Sequence, residues 1–128
     1  VMLLENTCWG ATSFLDTPQD LVTLADLCPP STKLLLDVGH AVNWGMNPTE
    51  CARIWLPRLA QIHAHDNHGE HDEHLELGKG IIDWCELLCF LKAESWDGIF
   101  MMEVVELEDP EAALARSLDL VKTCLSRC

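Results

Sequence analysis

Four times along this chain a short apolar run ends in an acid or a histidine, and each time a helix-like segment follows. The runs are MLLE (2–5), KLLLDVGH (33–40), QIHAHD (61–66) and GIFMMEV (98–104). Each is rich in Leu, Ile, Val, Met or Phe and too short for a helix. Leu34-Leu35-Leu36 and Ile99-Phe100-Met101-Met102 are apolar on both parities, the pattern of strands covered on both faces in a parallel sheet. The intervening helices signal their own starts. Thr17-Pro18-Gln19-Asp20, Asn47-Pro48-Thr49-Glu50, Asp83-Trp84-Cys85-Glu86 and Asp109-Pro110-Glu111 each set a capping side chain before the first turn and an acid near its positive dipole end. Cys28-Pro29-Pro30 stops the first helix and Pro57 ends or kinks the second, while Leu114, Leu118, Val121 and Leu125 mark one face of the last. The order is β-α four times over. Strands separated by single helices predict right-handed crossovers and a parallel α/β sheet. With 128 residues the chain has length for one domain and not for two.

The strand ends carry the chemistry. Glu5 closes the first run, Asp37 and His40 the second, His63 to Asp66 the third and Glu103 the fourth. In parallel α/β folds, ligands bind at that carboxyl edge. The stretch IHAHDNHGEHDEHLELGKG (62–80) holds five of the six histidines, interleaved with Asp66, Glu70, Asp72, Glu73 and Glu76. His68 and His71, beside Gly69 and Glu70, read as a solvated rim. The remaining acids and imidazoles have the composition of a metal site. No thiolate joins them, and a mixed Asp, Glu and His set suits Zn, Mn, Co or Mg without choosing among them. Strand alternation puts His63 and His65 on one side and does not decide between them. Lys79 reads as a loop-surface residue, with a phosphate contact as the alternative.

Other classes are disfavoured. Eight Lys and Arg against 21 Asp and Glu leave a formal charge of -13, a field that repels nucleic-acid backbones. No apolar run approaches the roughly 18 residues of a membrane span. The opening VMLLE has neither an initiating Met nor the basic start of a signal peptide, and reads as a piece of something longer. Seven cysteines without a CxxC pair, with Cys85 and Cys89 on one helix face, read as core thiols in a reducing, cytoplasmic setting.

The set MLLEN, LLLDVGH, IHAHDN, DEHLELGKG and MMEV resembles the xylose isomerase-like TIM barrels, a superfamily that holds sugar phosphate isomerases and epimerases and the endonuclease IV type of apurinic-site nuclease. The most specific parts are D-x-x-H at Asp37–His40 and the H-x-x-D…D-x-H-x-x-x-G run from His63 to Gly78. The resemblance implies one divalent metal shared by Glu5, Asp37, His63 and Glu103. It implies a second at His40, Asp72 and His74, and places His65 and Asp66 as neighbours or substrate contacts. It also implies four βα units, residues 1–128, matching the C-terminal half of a (β/α)8 barrel. The missing N-terminal half, or a second copy, is then a partner. The activity implied is isomerisation or epimerisation of a sugar or sugar phosphate in carbohydrate metabolism. Glu5 and Glu103 would move a proton next to a carbonyl through a metal-stabilised enediolate. The alternatives are zinc-dependent cleavage of apurinic-site phosphodiesters and an inactive metal-binding fragment.

Overall fold

The computed structural model describes residues 2–7, 16–106 and 108–128. Nine elements follow in order: β1 (Leu3–Glu5), α1 (Pro18–Asp26), β2 (Lys33–Asp37), α2 (Val38–Asn43), α3 (Pro48–Trp55), β3 (Leu59–Ala64), α4 (Trp84–Ala93), β4 (Ile99–Met102) and α5 (Pro110–Arg127). The strands form one sheet in the order β1-β2-β3-β4, every pair parallel. Helices start where the capping residues stand. Asn47, Asp83 and Asp109 accept the N–H groups of Glu50, Glu86 and Ala112 at 3.0, 2.9 and 3.1 Å. Each such cap contributes about 1 kcal/mol.

Alternation along the strands divides the side chains between two faces. Leu34, Leu36, Ile62 and Ala64 point at the helices and are fully buried with Leu21, Trp55, Leu87 and Leu91. This layer is the core. The other parity, Leu3 and Glu5, Leu35 and Asp37, Gln61 and His63, Met101 and Glu103, lines the opposite face. The functional residues ride on that face, at the strands' carboxyl ends.

Three expectations need correction. The run KLLLDVGH is not one strand. It breaks at Asp37, whose carboxylate accepts the His40 N–H at 2.8 Å and so starts α2. The D-x-x-H motif therefore straddles a strand end and a helix cap. Second, β4 is not covered on both faces, because Ile99 and Met101 stand on the face turned away from the helix-covered core, level with Gln61 and His63. Ile99 is 59% exposed and Met101 42%.

Third, Cys85 and Cys89 are not free core thiols. They are bonded to Cys124 and Cys128, with Cα separations of 4.8 and 5.5 Å, inside the range that disulfides span. Neighbouring parallel helices bring residues 39 apart in sequence side by side. Two disulfides remove the argument that placed the chain in a reducing compartment. Of the others, Cys28 and Cys51 are free, burial pushes the Cys51 thiol up to about 12, and Cys8 lies outside the described residues. No helix among the described residues is long and apolar enough to cross a membrane.

Candidate metal centre

Register brings the strand ends together. Asp37 lies level with His63, and His63 with Met101, so Glu103 follows two residues further along β4. Asn6, fully buried just past β1, donates its amide N–H to the Asp37 carbonyl and accepts the Asp37 backbone N–H, both at 2.8 Å. This two-bond latch locks Glu5 beside Asp37. The result is a nitrogen ringed by three carboxylates. His63 Nδ1 stands 3.2 Å from Glu103 Oε1, 3.8 Å from Glu5 Oε1 and 3.9 Å from Asp37 Oδ2. These come from four different strands.

Asp37, His63 and Glu103 offer ligand atoms within 4.8 Å of one another, and Glu5 does so with Asp37 and His40, a donor set whose chemistry fits a divalent cation. Asp37 Oδ2 is buried with no hydrogen-bond partner among the described residues, a costly arrangement unless a cation is its partner. Its other oxygen, Oδ1, is taken by His65 Nε2 at 3.0 Å and the His40 N–H. Burial opposes the Asp37 charge, but the His65 hydrogen bond and nearby imidazoles outweigh it and hold the carboxyl below its ordinary range. Glu5 is pushed the other way, first by burial and then by the charge on Asp37, with Glu103 adding to it. Crowded carboxylates of this kind call for positive charge. Gln61 is a partner that reading the sequence missed. Its amide reaches His63 Nε2 at 2.9 Å. The amide nitrogen is the atom that faces it and can only donate, so His63 Nε2 accepts and Nδ1 carries the hydrogen toward the carboxylates; binding a metal through Nδ1 requires the amide turned over, with its oxygen on an Nε2–H.

A second cluster lies beside the first. Asp72 bridges two imidazoles, with His40 Nε2 at 3.3 Å from one oxygen and His74 Nε2 at 3.3 Å from the other. Both rings are tied from behind. His40 Nδ1 meets the Asn6 carbonyl at 2.9 Å, and His74 Nδ1 meets the Glu103 carbonyl at 2.8 Å. A carbonyl only accepts, so each Nδ1 carries the hydrogen, which leaves Nε2 as the nitrogen that each ring turns toward Asp72. That is the tautomer a metal-binding histidine needs. His74 also adopts φ 52°, a left-handed conformation uncommon for a side chain of its size. It is held there by the Val105 N–H on its carbonyl at 2.9 Å.

His65 and Asp66 do not reach solvent; both are 0% exposed. Of the two places expected for them, neighbours of the metal or substrate contacts, this burial favours the first. His65 stacks on His74 with ring centres 3.8 Å apart, while its Nε2 holds Asp37. Burial opposes its charge, but Asp37 and the surrounding acids prevail and raise its pKa. It therefore ties the two clusters together. Asp66 organises the loop that delivers Asp72 and His74. Its carboxylate accepts the N–H groups of Gly78, Asn67 and Ile82 and the Trp84 indole N–H, at 2.8 to 3.3 Å. Its backbone exchanges two hydrogen bonds with Leu75, each 2.9 Å. A Cβ at Gly80 would collide with the Asn67 carbonyl and the Asp66 carboxylate, so only glycine closes this knot. His68 pairs with Glu73 on the exposed rim, and His71 and Lys79 are exposed.

The sequence profile described as the xylose isomerase-like TIM barrel matches residues 1–124. The chain belongs to that family. Among curated relatives, an uncharacterised protein of Methanocaldococcus jannaschii is 35% identical over 98 residues, which cover 73% of this chain and 33% of the relative. A D-tagatose 3-epimerase-like protein superposes with a TM-score of 0.80 at 28% identity, covering 95% of this chain and 45% of that one. The 3-keto-D-glucoside 4-epimerase of E. coli does so with a TM-score of 0.74 at 23% identity, covering 97% and 46%. The chain thus spans about a third of that curated relative and under half of each of these solved structures. Four parallel βα units and that coverage together make the described fold half of a (β/α)8 barrel.

Proposed function

We propose that this chain carries the carboxyl-edge half of the active site of a metal-dependent isomerase or epimerase acting on a small sugar or sugar phosphate. The supporting observation is the ring of Glu5, Asp37 and Glu103 around His63 Nδ1, in a fold shared with sugar epimerases. These four residues would hold the ion, Zn, Mn, Co or Mg. Bound there, it supplies the positive charge that offsets negative charge developing on the substrate's oxygens as a neighbouring carbon loses its proton.

The protein's own groups divide the remaining work. Asp37 is sealed, its side chain 1% exposed, and serves only to hold. Glu5 and Glu103 are 34% and 30% exposed and look into the open mouth. They stand on either side of His63, so one takes the proton from carbon and the other returns it from the opposite face. Each carboxylate has two oxygens, one for the cation and one for the proton. The -13 charge disfavours a nucleic-acid substrate.

A second reading is zinc-dependent hydrolysis of the phosphodiester at an apurinic site. The His40–Asp72–His74 cluster favours it, since hydrolysis of this kind uses adjacent metals. The isolated half, lacking the other barrel wall, is expected to bind metal weakly and turn over little. The test therefore uses the full-length parent protein with a panel of ketoses in deuterated water. Deuterium entering at carbon next to the carbonyl is the expected result. Nicking of abasic DNA without exchange would move the assignment to the second reading, and neither activity would end both.

A further inference from the structure

Helices α4 and α5 are joined twice, Cys85 to Cys124 and Cys89 to Cys128. Each helix contributes cysteines four residues apart, so the bonds lie one turn apart on facing stripes. On α5 the stripe runs through Ala113, Ser117, Leu120, Cys124 and Cys128. Its first half grips the loop of the metal centre. Ser117 Oγ accepts the Leu77 N–H at 3.2 Å, and Leu120 stands where a Cβ on Gly78 would be 3.1 Å away. Arg116, beside the stripe, holds Glu76 at 2.7 and 2.9 Å. Among the described elements α5 packs chiefly on α4. Its grip on the loop therefore runs through one helix–helix interface, whose position and rotation the two disulfides pin.

We propose that these four cysteines form a thiol–disulfide exchange site for a dithiol reductant, whose state sets how firmly α5 holds residues 76–78 behind Asp72 and His74. The two bonds differ in access. Cys128 is exposed and Cys89 half-buried, whereas Cys124 is fully buried. A reagent thiolate attacks Cys128 Sγ; the S–S bond breaks and Cys89 leaves as a thiolate that takes a proton. The reagent's second thiolate then attacks the reagent sulfur of the mixed disulfide. Cys128 leaves and is protonated, and the reagent departs as its own disulfide. Two electrons and two protons pass from the reagent to Cys89 and Cys128. The inner pair follows by the same steps. The exchange is independent of the metal reading; only its consequence for Asp72 and His74 rests on it.

The test needs neither metal nor substrate. The protein is treated with graded dithiothreitol, its thiols are trapped with iodoacetamide and located by mass spectrometry, and amide exchange is followed in both states. Before reduction the four cysteines should resist labelling, and Cys89 and Cys128 should label at lower reductant than Cys85 and Cys124. Reduction should speed exchange at the Leu77 amide roughly tenfold or more while the Leu36 and Ile62 amides in the sheet hold. Should the reduced protein unfold altogether, the Cys89→Ser/Cys128→Ser variant, which keeps the inner bond, decides by its Leu77 exchange. Faster than oxidised wild type supports the proposal. Labelling without reductant, or equal Leu77 exchange in both states, overturns it and leaves the metal assignment untouched.

Discussion

Asp37 shows how much one carboxylate is asked to do. One oxygen holds the His65 ring and caps α2, and the other is buried with no hydrogen-bond partner among the described residues. If that oxygen, Glu103 and His63 hold a cation, Glu103→Gln should weaken binding of Mn²⁺ in a calorimetric titration. Gln61→Ala, which removes the amide behind His63, should also weaken it, by about 10- to 100-fold. Unchanged affinity in Glu103→Gln would remove Glu103 from the ligand set. Asp66 makes a different prediction because its donors are all internal. Asp66→Asn turns an NH2 toward N–H groups and should cost about 1–3 kcal/mol in urea denaturation. A surface acid of the same loop, such as Glu70, should cost nothing measurable.

Among the elements, α5 and the loop it grips depend on pH as well as on thiols. The Arg116 guanidinium holds the Glu76 carboxyl below its ordinary value near 4.5. A carboxyl depressed in the folded state stabilises fully above its unfolded pKa and loses that contribution as pH falls through the folded one. The urea midpoint should therefore drop as pH is lowered below about 4.5, and Glu76→Gln should flatten that part of the slope. An equal slope in both proteins would assign the acid sensitivity elsewhere. Cutting either disulfide should lower stability by about 2–4 kcal/mol, less any strain it relieves, as read by thermal denaturation of Cys85→Ser.

For the assembled chain the main physical fact is an open sheet. β1 and β4 lie at the ends of the strand order, and Ile99 and Met101 are exposed on the sheet face that carries the candidate site. Unpaired edges with apolar side chains recruit other strands. Sedimentation should show concentration-dependent self-association, and Ile99→Lys should shift the protein toward monomer. The occupant that completes the ring is, on the (β/α)8 reading, four further βα units or a second copy. A wild type that sediments as a monomer at all concentrations would exclude the second copy and leave the further βα units.

The elements were legible in the chain because their causes are local. Thr17, Asn47, Asp83 and Asp109 announce helices through side chains that reach only three residues, and apolar runs ending in acids announce strands of a parallel sheet. Glu5, Asp37, His63 and Glu103 were legible as one cluster through a resemblance to known strand ends. Short-range pattern failed where distance in space mattered. It gave no sign that Asp37 ends a strand by starting a helix, or that Gln61 and Asn6 hold the site from behind. Nor could it show that His65 and Asp66 turn inward, because a buried hydrogen-bond partner and an exposed ligand have the same letters. The cysteine pairs make the point most simply. Four-residue spacing aligns thiols on one helix, but a bond forms only when a second helix, 39 residues on, sets its own cysteine Cα atoms about 5 Å away.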